Sequence, residues 1–130
     1  MTAIGDDHRA RSRILLLDDE PDMGSLVAAC LDPLGVEVVQ ATGLSSARTL
    51  ATQRGVDVVL LDLALGGEDG LAILPEIRRI PGLSTARVVA FTAHDSRRTE
   101  ALERGVDSFL ARPFAFEDLQ RLVAKQLQRN

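Results

Sequence analysis

Five side chains able to do polar chemistry come directly after apolar segments of this sequence: Asp18, Asp19, Asp62, Thr92 and Arg112. Three are carboxylates, one is a hydroxyl and one is a guanidinium. If the apolar segments are strands of one parallel sheet, all five lie at its carboxyl edge, where open parallel sheets bind ligands. The sequence therefore predicts a pocket that combines acids, a hydroxyl and a fixed positive charge.

Three carboxylates in one pocket repel one another by about 1–4 kcal/mol per pair at about 4 Å, depending on local screening. Such a cluster favours a hard divalent cation, and Mg²⁺, which shares its coordination with phosphate, is the expected one. A carboxylate beside that cation can attack phosphorus and form an acyl phosphate. Thr92 and Arg112 would then contact the phosphoryl oxygens, so the set predicts phosphoryl transfer to an aspartate.

Alternating strands and helices must position these residues. The predicted strands are Arg13–Leu17, Val36–Ala41, Val58–Leu61, Val88–Phe91 and Ser108–Ala111. Several are continuously apolar, which is typical of strands covered on both faces. Between them apolar residues recur at helical spacing, most clearly in Met23, Leu26, Val27, Cys30, Leu31 and Leu34. This alternation predicts right-handed crossovers and a parallel sheet with helices on both faces.

Glycine and proline mark the predicted helix boundaries. Gly35, Gly55 and Gly105 lie where helices should end and where a left-handed residue is useful. Pro75 falls inside the third helix, so we expect that helix to start late or to kink near its first turn.

These segments resemble the receiver domains of bacterial response regulators. The resemblance rests on Leu15–Pro21, Val59–Leu63, Asp69–Gly70, Phe91–Ala93 and Phe109–Phe114, in that order, and covers nearly the whole chain after residue 12. It implies an α/β, flavodoxin-like, doubly wound fold. Its five-stranded parallel sheet would have the order 2-1-3-4-5, with five flanking helices.

The resemblance also implies roles for the acidic residues. Asp62 would be the phospho-acceptor. Asp18 and Asp19 would place Mg²⁺, Asp19 more directly, with Asp62 and the backbone carbonyl of Ala64 as further metal ligands.

The remaining implied roles include one departure from the family. Thr92 would be the switch hydroxyl, and Phe109 the aromatic whose rotamer reports activation. Arg112 stands where the family has lysine, and its bond to Pro113 is expected to be cis. Gly66-Gly67 replaces a proline that the family often has in the loop after the acceptor, so we expect a looser loop.

The sequence is compatible with three functions to different degrees. The first is a phosphorylation-driven signalling switch, which is not an enzyme beyond promoting its own phosphorylation and dephosphorylation. The second, motivated by Arg112, is a phosphorylation-independent interaction module on the same fold. A phosphatase of the haloacid-dehalogenase type is disfavoured, because Asp62-Leu63-Ala64 lacks a second carboxylate two residues after the nucleophile.

Other residues have structural explanations. Cys30 fits a small core position on the first helix, and Phe109 could equally be a core aromatic. His94 fits an exposed loop better than a functional position.

Composition limits the partners. The net charge is −4 without a Lys/Arg block, which disfavours direct binding of nucleic acid. No apolar run approaches the roughly 20 residues needed to span a membrane. The lone Cys30 fits a reducing cytoplasm.

Residues 1–12 are expected to form a mobile tail and residues 13–130 the receiver domain.

Expected partners are a histidine kinase or phosphotransfer protein and a downstream protein target or effector domain. A dimer through the last two helices is a candidate assembly. The N-terminal Met favours a stand-alone receiver over a fragment of a longer regulator.

Overall fold

The computed structural model describes residues 11–93 and 95–128. In these ranges the strands are β1 (Arg13–Leu17), β2 (Glu37–Ala41), β3 (Val58–Asp62), β4 (Arg87–Thr92) and β5 (Ser108–Ala111). The α-helices are α1 (Met23–Leu31), α2 (Leu44–Gln53), α3 (Gly70–Ile77), α4 (Arg98–Glu103) and α5 (Phe116–Gln128). Short 3₁₀ turns follow α1 and precede α4. His94 and most of the predicted tail lie outside the described residues, and their assignments stay predictions.

The five strands form one parallel sheet in the order β2-β1-β3-β4-β5. This is the predicted 2-1-3-4-5 order, and each strand matches its predicted range to within one residue at either end. Because β3 is central, its last residue, Asp62, is flanked by the ends of β1 and β4.

Two apolar clusters cover the two faces of the sheet. The larger joins alternate strand residues such as Leu15 and Leu61 to α2, α3 and α4. The smaller joins Leu16, Leu60 and Phe91 to α1 and α5. Burial on both faces explains why the central strands are continuously apolar.

The predicted buried face of α1 is wrong at one position. Val27, Cys30 and Leu31 are buried, but Leu26 is 45% exposed. Leu26 instead borders an open apolar groove with Pro113 and other residues of the β5–α5 connection. Only part of the stripe faces the sheet, so helical spacing alone overestimated the buried face.

One of the three predicted helix-ending glycines does not adopt positive φ. Gly35 and Gly105 have positive φ as expected, but Gly55 does not, because α2 ends at Gln53 and Arg54 is extended. Among the described residues Gly82 also has positive φ, and its carbonyl accepts the N–H of Val56 at 3.0 Å.

The third helix begins earlier than Pro75 suggested. α3 starts at Gly70 because the carboxylate of Asp69 accepts the N–H of Leu71 at 3.0 Å and caps the helix there. The expected late start is wrong. α3 ends at Ile77, two residues after Pro75, so the proline lies in the last turn of the helix.

The segment after Asp62 is a small hairpin rather than a loose loop. Residues Ala64–Leu65 pair with Glu68–Asp69 in antiparallel register. Gly66 and Gly67 connect them with φ of 53° and 87°, the positive values that two-residue hairpins of type I′ require. The two glycines therefore specify a tight turn beside the acceptor strand.

Candidate functional site

The ends of β1 and β3 bring three carboxylates together. Asp18 is completely buried, Asp62 is nearly so, and Asp19 is exposed. Carboxylate oxygens of the three residues lie within 4.8 Å of one another. This donor set of hard oxygen ligands fits a divalent cation such as Mg²⁺.

Backbone hydrogen bonds orient two of these acids. One oxygen of Asp18 accepts the N–H of Glu20 at 2.8 Å, and one oxygen of Asp62 accepts the N–H of Ala64 at 2.9 Å. Gly70 supports this arrangement, because a Cβ there would clash with the backbone of Asp62 and lie 2.9 Å from the Cα of Leu63. The chain after Asp62 can therefore fold back closely only with glycine at position 70.

Burial dominates the electrostatics of the cluster. Loss of solvent raises the pKa of Asp18 and of Asp62 above the ordinary aspartate value. The neighbouring carboxylates raise both pKa values further, whereas backbone N–H donors and Arg112 oppose the shift. The pocket thus holds negative charge at a free-energy cost, and an additional cation would relieve it.

Arg112, directly after β5, supplies the positive charge seen in the pocket. Its Nη2 donates to Oδ2 of Asp18 at 2.9 Å and lies 3.6 Å from Oδ2 of Asp62. Its Nη1 is 3.5 Å from Oε1 of Glu20. Its Cζ lies 4.6 Å from the centre of the Phe91 ring. The peptide bond from Arg112 to the following proline is cis, as the resemblance implied.

Thr92 and Phe109 lie on neighbouring strands. Thr92 is buried at the end of β4, and its carbonyl accepts the N–H of Arg112 at 2.7 Å. Phe109 is buried in the larger apolar cluster, with the guanidinium of Arg98 4.8 Å from its ring centre. The predicted residues therefore share one sheet edge, with Phe109 deeper along its strand.

Sequence reasoning missed several supporting contacts. Gln40 donates from Nε2 to the carbonyls of Asp18 and Glu20 at 2.7 and 2.8 Å. The guanidinium of Arg97 donates to both carboxylate oxygens of Asp69 at 2.8 and 3.1 Å. This bidentate contact joins the hairpin after β3 to the segment after β4. These partners are 20 to 28 residues apart, and no local pattern marks them.

A doubly wound sheet with an acidic pocket at its carboxyl edge is the arrangement that the resemblance to receiver domains implied, and comparison with known proteins agrees. Residues 14–124 match the family model for the response regulator receiver domain. The chain belongs to this family.

Similar curated proteins are longer than this chain. The alginate biosynthesis transcriptional regulatory protein AlgB of Pseudomonas putida is 35% identical over 121 residues, 91% of this chain but 26% of AlgB. The DNA-binding dual master transcriptional regulator RpaA of Synechocystis is 31% identical over 90% of this chain and 49% of RpaA. The chain thus spans between a quarter and a half of these relatives.

Solved receivers superpose over their whole length. The receiver domain of NtrX from Brucella abortus has a TM-score of 0.79 and 32% identity, over 90% of this chain and 99% of that one. The response regulator TrrA of Thermotoga maritima, solved in complex with Mg²⁺-BeF, has a TM-score of 0.75 and 29% identity, over 89% and 99%. Within the described residues, no helix combines the length and apolar character needed to cross a membrane.

Proposed function

We propose that this domain accepts a phosphoryl group on Asp62 from a histidine kinase or phosphotransfer protein, with Mg²⁺, and acts as a signalling switch. The observation that carries the proposal is the position of Asp62. It ends the central strand, beside Asp18, Asp19 and Arg112. Asp69 and Glu68 are nearby acids, but they lie exposed on the hairpin.

The hydrogen bonds of Asp62 favour one of its oxygens as nucleophile. Oδ1 is engaged by the N–H of Ala64, whereas Oδ2 faces Arg112 at 3.6 Å. In the proposed reaction Oδ2 forms a bond to phosphorus while the phosphorus–nitrogen bond of a donor phosphohistidine breaks. The imidazole leaves with the electron pair and takes a proton from solvent.

Asp18, Asp19 and Asp62, with the carbonyl of Ala64, are the residues that would hold Mg²⁺. When bound, the ion would offset negative charge on the phosphoryl oxygens. Arg112 would hydrogen-bond a phosphoryl oxygen, and the Thr92 hydroxyl would take another. The similarity to TrrA, solved with Mg²⁺-BeF, supports this choice of cation.

The signal would leave the site through Thr92 and Phe109. Thr92 is linked by backbone hydrogen bonding to Arg112 and is followed by the segment that leads to α4. We propose that Arg112, in place of lysine, preserves phosphorylation but changes the lifetime of the acyl phosphate and makes the switch through these two residues incomplete.

The partners of the domain are proposed to be proteins. The names of AlgB and RpaA as transcriptional regulators support a transcriptional output carried by a separate effector. We propose a cytoplasmic location, for which the unpaired, buried Cys30 is the supporting observation. Direct contact with nucleic acid is not part of the proposal, given the acidic net charge.

The test is intact-mass measurement of the purified chain after incubation with Mg²⁺ and acetyl phosphate. We expect one phosphoryl mass addition on the wild type, none on Asp62→Asn, and full addition on the matched control Asp69→Asn. Labelling of Asp62→Asn would refute the acceptor assignment. Absence of labelling in the wild type, with both acetyl phosphate and a phosphorylated kinase domain, would instead support a phosphorylation-independent module.

A further inference from the structure

The guanidinium of Arg112 contacts two residues outside the proposed acceptor and metal set. The Phe91 ring lies beneath it at 4.6 Å, within the range of about 6 Å over which a cation is attracted to an aromatic face. Glu20 lies 3.5 Å from its Nη1. Phe91 is buried and Glu20 is exposed, so Phe91 is the better fixed of the two.

We propose that Phe91 and Glu20 are positioning residues that hold the Arg112 guanidinium between Asp18 and Asp62. The inference rests on the proposed function, because it gives the held group a phosphoryl oxygen to bind. The ring attracts the guanidinium to its face, and Asp18 and Glu20 hold the two Nη groups. Nη2 then lies 3.6 Å from Asp62, close to the acceptor but not hydrogen-bonded to it.

This environment suits arginine better than lysine. A guanidinium is planar and delocalised, so it can stack on a ring while its edge donates to two carboxylates. A lysine ammonium is a compact point charge without a plane to stack, and it would not use the three contacts together. The residues around position 112 are therefore matched to the arginine that replaces the family's lysine.

Phe91 also belongs to the apolar core, so truncation alone cannot test the proposal. Phe91 packs in the cluster that joins α1 and α5 to the sheet. Replacing it with leucine would loosen this core whether or not the stacking matters. The sharper probe is 3,4,5-trifluorophenylalanine at position 91, which weakens the attraction of the ring for a cation and nearly keeps its shape.

The placement can be measured without any phosphodonor. Nε of Arg112 is buried and has no hydrogen-bond partner among the described residues, so its proton should exchange slowly with water. Its resonance is assigned by its loss in Arg112→Lys. We expect trifluorination at position 91 to speed this exchange about threefold to tenfold. The same change at Phe114, another ring of this cluster, should leave it unaltered. If the Nε–H of Arg112 exchanges at the same rate in the wild type and in the protein fluorinated at position 91, the proposal is overturned.

The consequence for chemistry is measured as the rate of phosphoryl labelling by acetyl phosphate. Trifluorination at position 91 should slow labelling about threefold to tenfold in protein that remains folded, and Glu20→Gln about twofold. In Arg112→Ala the fluorinated ring should have no effect. Normal labelling of the wild type with no effect of fluorination refutes the positioning role alone. Absence of labelling in the wild type refutes the proposed function, and the exchange measurement still decides the placement.

Discussion

Two arginine–aspartate contacts near the site have similar shortest distances, but the pKa values of their aspartates shift in opposite directions. Arg112 meets Asp18 at 2.9 Å, and Arg97 meets Asp69 at 2.8 Å. Both arginine side chains are 25% exposed, but the Asp18 side chain is 0% exposed and that of Asp69 is 43% exposed. The pKa of Asp18 is raised, chiefly by burial, whereas the pKa of Asp69 is lowered, chiefly by its hydrogen bonds from Arg97.

The comparison shows that an arginine partner dominates the pKa of an aspartate where the carboxylate stays exposed, whereas burial dominates where solvent is lost. Asp69 keeps its charge easily and serves to cap α3 and hold Arg97. Asp18 and Asp62 carry their charge at a cost, even with Arg112 beside them. The buried carboxylate cluster is suited to binding a cation, because the cation would lower the free-energy cost of its charge. The exposed Arg97–Asp69 pair is suited to connecting two loops.

The largest expected difference is in stability after each arginine is removed. In EDTA at pH 7, Arg112→Ala should lower the free energy of unfolding by about 2–4 kcal/mol, because it leaves buried carboxylates without their cation. Arg97→Ala should cost less than about 1 kcal/mol, as for exposed pairs. Urea unfolding followed by circular dichroism measures both, since the chain has no Trp or Tyr. Equal losses would mean that burial does not separate the two pairs.

Added Mg²⁺ should stabilise the folded protein through the buried carboxylate cluster, and this effect should not depend on the exposed Arg97–Asp69 pair. At a free concentration ten times Kd, a ligand that binds only the folded state adds about 1.4 kcal/mol. The wild type and Asp69→Asn should gain this amount in calorimetric melts, and Asp19→Asn should gain much less. A gain of the same size in Asp19→Asn would show that the ion binds elsewhere.

The two regions should respond to pH with opposite signs in metal-free protein. The raised pKa values of Asp18 and Asp62 mean that their contribution to stability is present at low pH and lost as pH rises through the folded pKa. Acidification from pH 7 toward 5 should therefore stabilise the wild type more than Asp62→Asn.

Asp69 supplies the opposing case. Its lowered pKa means that its contribution is present above its unfolded pKa and lost as pH falls through the folded value. Between about pH 5 and 3 the wild type should lose stability relative to Asp69→Asn. Unfolding free energies measured in EDTA from about pH 7 to 3 test both signs, and parallel curves for all three proteins would contradict them.

The smallest expected effect is that of exchanging arginine for lysine at the exposed pair. Arg97→Lys loses the two-oxygen grip on Asp69 and should cost about 0.5 kcal/mol or less. In 1 M salt this difference should disappear, because screening acts on exposed pairs. Arg112→Lys should change the lifetime of the acyl phosphate, and this change should persist in the same salt. A salt-insensitive Arg97→Lys would show that the pair is better shielded than its exposure indicates.

Much of the fold and the identity of the site residues could be predicted from the sequence, because they depend on local patterns. Continuous apolar runs show which strands are buried on both faces, and the polar residue ending each run, as with Asp62 and Thr92, marks the carboxyl edge. The motif order, through the resemblance, predicted the strand order that the structure confirms.

The tertiary structure decided what depends on how loops and side chains meet. The exposure of Leu26 depends on how α1 packs against the rest of the chain. The Gly66-Gly67 hairpin and the early start of α3 instead carry local signals, the two glycines and the Asp69 cap, which the sequence-based prediction did not use. Arg112 was predicted to be near the acids, but its position over the Phe91 ring required the actual pairing of β4 with β5.

The sign of each aspartate pKa shift was also beyond the sequence. Asp18 and Asp69 are the same residue type, each beside an arginine distant in the chain. The sequence determined that both carry a carboxylate and that one follows a buried strand. Only the folded chain determined the solvent exposure of each carboxylate, because residues far away in sequence set that exposure. The difference in exposure distinguishes the buried acidic cluster from the surface ion pair.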